Sequence, residues 1–121
     1  MINQLDLKVA DLNASSRFYE KVLAPLGYVV KMRSPTVISF SDGRSSDPMG
    51  DLYLSQGIPN PFHFAFQAET KEMVQAFYEV GLQSGGTDNG APGYRDYHPF
   101  YYAAFLIDPD GYRIEAVTHT L

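Results

Sequence analysis

Three side chains in this sequence have types that could do chemistry together: Gln4, His63 and Glu115. Glu115 is flanked by Ile114, Ala116 and Val117 in a stretch that reads as a half-buried strand. A carboxylate there loses hydration and needs a compensating partner: a metal ion, an Arg or Lys, or a substrate. The basic residues within its sequence reach are Arg113, Arg95 and Lys8. Gln4 and His63 each begin the polar face of an alternating strand. An amide oxygen, a neutral imidazole and a carboxylate suit a borderline or hard divalent ion such as Zn²⁺, Ni²⁺, Co²⁺, Mn²⁺ or Fe²⁺. Such an ion polarises a bound carbonyl or enolate oxygen, or acidifies a bound water. With this ion, Glu115 as ligand and catalytic base together, or a water bound to the ion, would move the proton.

Several other chemistries are excluded. The chain has no cysteine, which removes disulfides, thiolate sites and a cysteine nucleophile. It has no phosphate-binding loop and no nucleophile elbow. The turn Asp108-Pro109-Asp110-Gly111 lacks the remaining ligand positions of a calcium loop. A net charge of −5 argues against nucleic acid and acidic membrane surfaces as partners. The N-terminus does not read as a signal peptide, and no apolar run reaches membrane-spanning length, so a cytoplasmic protein is expected.

The elements that must position these residues come in two similar sets. Leu5, Leu7 and Val9 alternate with polar residues as a first strand. Asp11 or Asn13 caps a helix striped by Ala14, Phe18 and Val22, which Pro25 and Gly27 end. Tyr28–Met32, Thr36–Ser41 and Asp51–Ser55 follow as strands, with a polar connection from Asp42-Gly43 through Asp47-Pro48. After the breakers Gly57 to Pro61 the pattern restarts. Phe62, Phe64 and Phe66 mark a strand, and Thr70 caps a helix striped by Met73, Phe77 and Gly81. Residues 84–100, rich in Gly, Pro and Tyr, should hold only a short strand and could form a lid. The strand Tyr101–Ile107, the turn 108–111 and a strand from Tyr112 to Val117 finish the chain. If the turn pairs Leu106 with Ile114, then Tyr101, Ala103 and Phe105 share the face of Glu115 and line a pocket with it. His98 would stand at the mouth as a second base.

Phe18-Tyr19-Glu20 recurs as Phe77-Tyr78-Glu79, an offset of 77 − 18 = 59. The same offset carries Gln4 onto His63, since 63 − 4 = 59. The expected fold is α+β: one domain over residues 1–121, built from paired βαβββ modules at about 1–57 and 62–121. The modules form a curled mixed sheet around a central cleft.

The chain resembles the vicinal oxygen chelate superfamily of glyoxalases, bleomycin-resistance proteins and extradiol dioxygenases. The resemblance spans nearly the whole sequence. It rests on Leu7-Lys8-Val9-Ala10-Asp11-Leu12, Ser16-Arg17-Phe18-Tyr19, Leu26-Gly27-Tyr28, His63-Phe64-Ala65-Phe66, and most specifically on Asp108-Pro109-Asp110-Gly111-Tyr112-Arg113-Ile114-Glu115. It implies a divalent metal held at Gln4, His63 and Glu115, and a small oxygenated substrate chelated to it. The activity implied is that of a glyoxalase-like lyase or isomerase, in a chain that could form a homodimer. It also implies an alternative, a metal-free protein that binds a small molecule as bleomycin-resistance proteins do. Two positions depart from the family. Gln4 stands where many members have His. A fourth carboxylate, found in glyoxalase I on the last strand of the first module, has no match: aligning Gly50 with Gly111 gives an offset of 61 and reaches Leu54, and the offset of 59 reaches Gln56.

Overall fold

A computed structural model describes residues 2–44 and 48–119; the connection expected through Asp47 therefore falls partly outside the described residues. The first module runs β1 (Leu5–Val9), α1 (Leu12–Leu23), a 3₁₀ turn (Ala24–Leu26), β2 (Val29–Arg33), β3 (Val37–Ser41) and β4 (Leu52–Gln56). The second runs β5 (His63–Gln67), α2 (Lys71–Gln83), β6 (Thr87–Tyr94), β7 (Tyr102–Ile107) and β8 (Arg113–Thr118). Each module makes a four-stranded sheet, ordered β1-β4-β3-β2 and β5-β8-β7-β6. In each, the first and last strands pair parallel and the others antiparallel. The two sheets curl without closing.

Both helices start as the sequence dictates. The Asp11 carboxylate accepts from the backbone N–H of Ala14, and the Thr70 hydroxyl accepts from that of Met73, so each satisfies an orphan donor of the first turn. The α1 helix ends where Pro25 tightens the chain and Gly27 takes a left-handed φ of 88°. The helices cover one face of both sheets. Leu7, Val9, Ile38, Phe40, Leu52 and Leu54 of the first sheet join Phe64, Phe66, Ala104, Leu106, Ile114 and Ala116 of the second in one core. The opposite faces carry the polar residues of the strands, and there the candidate site lies.

Tight polar links lock the modules together. The Tyr19 hydroxyl donates to Asp108 Oδ2 at 2.5 Å, and the Tyr112 hydroxyl donates to the carbonyl of Lys8 at 2.8 Å. Asp108 Oδ1 accepts the backbone N–H groups of Asp110 and Tyr112, each at 2.9 Å. Gly111 donates to the Asp108 carbonyl, closing the expected turn. The β7–β8 register places Leu106 opposite Ile114, as that turn requires.

One element differs from the sequence reading. β6 spans eight residues, Thr87–Tyr94, where a short strand was expected. Its pairing with β7 slips between Asp88 and Gly90 and again between Gly90 and Gly93. Glycine and proline weaken the alternation that identifies a strand, and bulges break its period.

Candidate functional site

The site grows from the parallel pairing of β5 and β8. Ala65 stands opposite Glu115, and His63, two residues earlier, points to the same side. His63 Nε2 lies 2.9 Å from Glu115 Oε1, so a ring protonated at Nε2 donates to the carboxylate. The other oxygen, Oε2, accepts from the Tyr101 hydroxyl. Glu115 is only 3 % exposed. A carboxylate this deep is tolerable because both oxygens have donors. Of the basic residues in prospect as its partner, none pairs with it: Lys8 instead donates to Ser55 Oγ at 2.8 Å and pairs with Asp6. Burial, the hydrogen bond to Glu115 and its charge together hold the Tyr101 phenol well above its usual ionisation range, with Arg95 opposing in part. Tyr101 therefore stays a proton donor through the neutral range.

The residues expected to line the pocket fall into place around this trio. Phe105 faces Glu115 directly in the β7–β8 register, with its ring centroid 6.2 Å from that of His63. Ala103 is fully buried beneath the same face. His98 reaches the group through Tyr101: its ring stands edge-on to the phenol ring at 5.0 Å. It also stacks on His119, which sequence reasoning missed. The signal was available. If Leu106 pairs with Ile114, continuing the antiparallel register brings residue 119 beside residue 101, and the two rings meet edge-on at 5.4 Å.

Gln4 stands immediately before the start of β1. It borders a hollow of about 260 Å³ where β1 passes β5, with Tyr28, Asp51, Phe64, Ala65 and Phe66 among its walls. His63 and Glu115 are not among them. The structure thus brings His63, Glu115, Tyr101, Phe105 and His98 together. The position matching Glu115 in the first module also changes. Leu5 pairs with Leu52, and the equivalent Phe64 pairs with Ile114, an offset of 114 − 52 = 62 that carries Glu115 back to Tyr53. Leu54 is core, and Gln56 is spent on backbone, accepting from the Leu12 N–H and donating to the Ala10 carbonyl.

Whether a divalent ion fits turns on donor geometry. Two donors bound at ~2.1 Å and at right angles stand about 3.0 Å apart. The 2.9 Å between His63 Nε2 and Glu115 Oε1 matches adjacent positions on one ion. Among the described residues no group of three or more His, Cys, Asp or Glu is placed to complete such a site. An amide such as Gln4, or solvent and substrate oxygens, would have to fill it.

Known proteins resemble this chain over nearly its whole length. The family model described as Glyoxalase/Bleomycin resistance protein/Dioxygenase superfamily matches residues 1–116. An uncharacterised Bacillus subtilis (strain 168) protein, YqjT, is 30% identical, with 96% of this chain and 97% of that protein aligned. A glyoxalase/bleomycin resistance protein from Albidiferax ferrireducens T118 superposes with a TM-score of 0.79 at 28% identity, covering 96% of each chain. A lactoylglutathione lyase from Agrobacterium tumefaciens shares the fold, with a TM-score of 0.69 at 21% identity over 98% of this chain and 92% of that one.

Proposed function

This chain is a member of the Glyoxalase/Bleomycin resistance protein/Dioxygenase superfamily, and from that premise we propose that it is a glyoxalase-like metal-dependent lyase or isomerase acting on a small oxygenated molecule. The observation that carries the reading is the 2.9 Å contact of His63 with Glu115, a buried acid on an otherwise open sheet face. His63 and Glu115 would hold the divalent ion, with Gln4 as the third donor in the reading. When bound, the ion supplies a Lewis acid that withdraws charge from the substrate's adjacent oxygens.

The chain's own groups do the rest. Glu115 accepts a proton from a carbon next to a carbonyl and returns it as the product forms. Tyr101 keeps its phenol proton and fixes the second carboxylate oxygen, so that Oε1 keeps its aim. His63, with its side chain about half exposed, is the member of the pair that solvent and substrate reach first. Ala103, fully buried, and Phe105, opposite Glu115 in the register, flank the acid with apolar surface. Calorimetric titration of metal-free protein with Zn²⁺, Ni²⁺ and Mn²⁺ tests this. One site per chain is expected, lost in His63→Ala. Absence of binding, or binding that the variant leaves unchanged, ends the metal reading.

A second reading is favoured by a different observation: both Glu115 oxygens already have donors from the protein itself. The chain would then be a metal-free binding protein, like bleomycin-resistance proteins, taking a cationic aromatic ligand on its acidic, aromatic face. Elemental analysis of protein purified without chelators or added metal separates the two.

A further inference from the structure

Arg95 is a cation of the second sheet's open face that the chemistry so far leaves unused. Its guanidinium lies 5.2 Å from the centroid of the Phe105 ring, on the ring that faces Glu115 across β7 and β8. Two glycines of β6 make room for it. A Cβ at Gly93 would come within 3.1 Å of Arg95 Nη1. One at Gly90 would come within 3.2 Å of Nη2 and 2.9 Å of Phe105 Cδ1. Bare backbone here lets the planar group lie flat against the sheet, at the cost in strand stability that glycine brings.

Its protein partners leave its charge uncompensated. Nη2 donates to the Ala91 carbonyl at 2.7 Å and Nη1 to that of Tyr94 at 3.4 Å. Among the described residues Arg95 joins no ion pair. A guanidinium offers five donors in a fixed fork, and only two are engaged.

We propose that Arg95 is the specificity-determining residue of this face and that the substrate is a small 2-oxo or 2-hydroxy carboxylate. The fork binds the carboxylate, and the neighbouring oxygenated carbon is presented to Glu115. A planar carboxylate matches the fork two bonds at a time. The adjacent oxygen supplies the vicinal pair the proposed function requires, and the inference rests on reading this face as the substrate site.

The test uses metal-free wild-type protein and two probes of equal size, benzoylformate and its uncharged amide, followed by calorimetry and by NMR of the arginine Nε–Hε groups. Benzoylformate should bind at least about tenfold tighter than the amide. The Arg95 Nε–Hε resonance should move with the acid and stay with the amide. In Arg95→Met the advantage should vanish, so that acid and amide bind alike. Equal binding of the two probes by wild-type protein, an unmoved Arg95 resonance, or an advantage surviving in Arg95→Met would each overturn the assignment. The resonance reports on Arg95 even if that variant does not fold. Metal titration run separately keeps the failures apart: loss of metal binding with the acid preference intact sinks only the metal, and the reverse sinks only Arg95.

Discussion

Replacing Tyr19 with Phe should cut the tie between α1 and the β7–β8 turn while leaving the core volume nearly intact. Tyr19 is fully buried and Asp108 nearly so, and the hydroxyl donates to Oδ2 at 2.5 Å. A hydrogen bond to a charged group contributes about 1.5–3 kcal/mol, and its loss strands a buried acceptor. For a chain of 121 residues this corresponds to a fall in Tm of roughly 5–15 °C. The pH dependence gives a sharper test. Burial raises the Asp108 carboxyl above its unfolded value near 3.8, although bonds from Tyr19, Asp110 and Tyr112 oppose it. A raised acid holds its proton longer in the folded chain, so its contribution is present below the unfolded value and drains away as pH rises through the folded one. Removing the Tyr19 donor takes away one of the lowering contacts and extends that window upward. The destabilisation should therefore be larger at about pH 7.5 than near pH 4.5, where the neutral acid needs the donor less. Urea unfolding followed by circular dichroism at both pH values measures it. A loss below ~0.5 kcal/mol, or an equal loss at both, would refute the account.

Gly81→Ala should destabilise the fold, because its Cβ would meet Leu106 Cδ1 at 2.2 Å in the packed seam between α2 and β7. Overpacking costs about 1–3 kcal/mol against the roughly 1 kcal/mol that alanine gains in a helix, and a urea midpoint no lower than wild type would contradict this. Tyr101→Phe should also destabilise, by about 1–3 kcal/mol, by leaving Glu115 Oε2 without its donor. Because the folded phenol ionises above the ordinary value of 10.0, the wild-type advantage should shrink as pH rises beyond it; an advantage constant to strong alkali would count against the bond. Asp11→Ala should lower stability by about 1 kcal/mol through loss of the α1 cap, read in the same unfolding assay.

How much of this was legible follows from which interactions are local. The helix caps at Asp11 and Thr70 stand 70 − 11 = 59 apart, the offset at which Gln4 meets His63, and both form as the residue types require. The Asp108–Gly111 turn fixes the β7–β8 register, and through it the placing of Phe105 against Glu115. What escaped depends on bulges or distant contacts. β6 hides because its glycines are chosen to seat Arg95, not to alternate. The match of Glu115 with Tyr53 could not be found by aligning Gly50 and Gly111. Gly50 lies two residues before Leu52, whereas Gly111 lies three before the equivalent Ile114, a difference only strand pairing reveals. The partners of Glu115 escaped for another reason. Nearby charges suggested an ion pair, but a half-open imidazole and a phenol meet the carboxylate with less charge to desolvate.

The twin sheet of the first module carries a different arrangement on the same face, two residues along each strand from Gln4 and Tyr53, the positions that match His63 and Glu115. There Ser55 Oγ donates to Asp6 Oδ1 at 2.9 Å while Lys8 reaches both residues, and the small circuit neutralises itself. Duplication thus left two versions of one surface, one chemically quiet and one carrying an acid in reach of an imidazole. Drift in that self-neutralised circuit alters scaffold alone, which leaves those positions free to change partners or shape without touching reactivity.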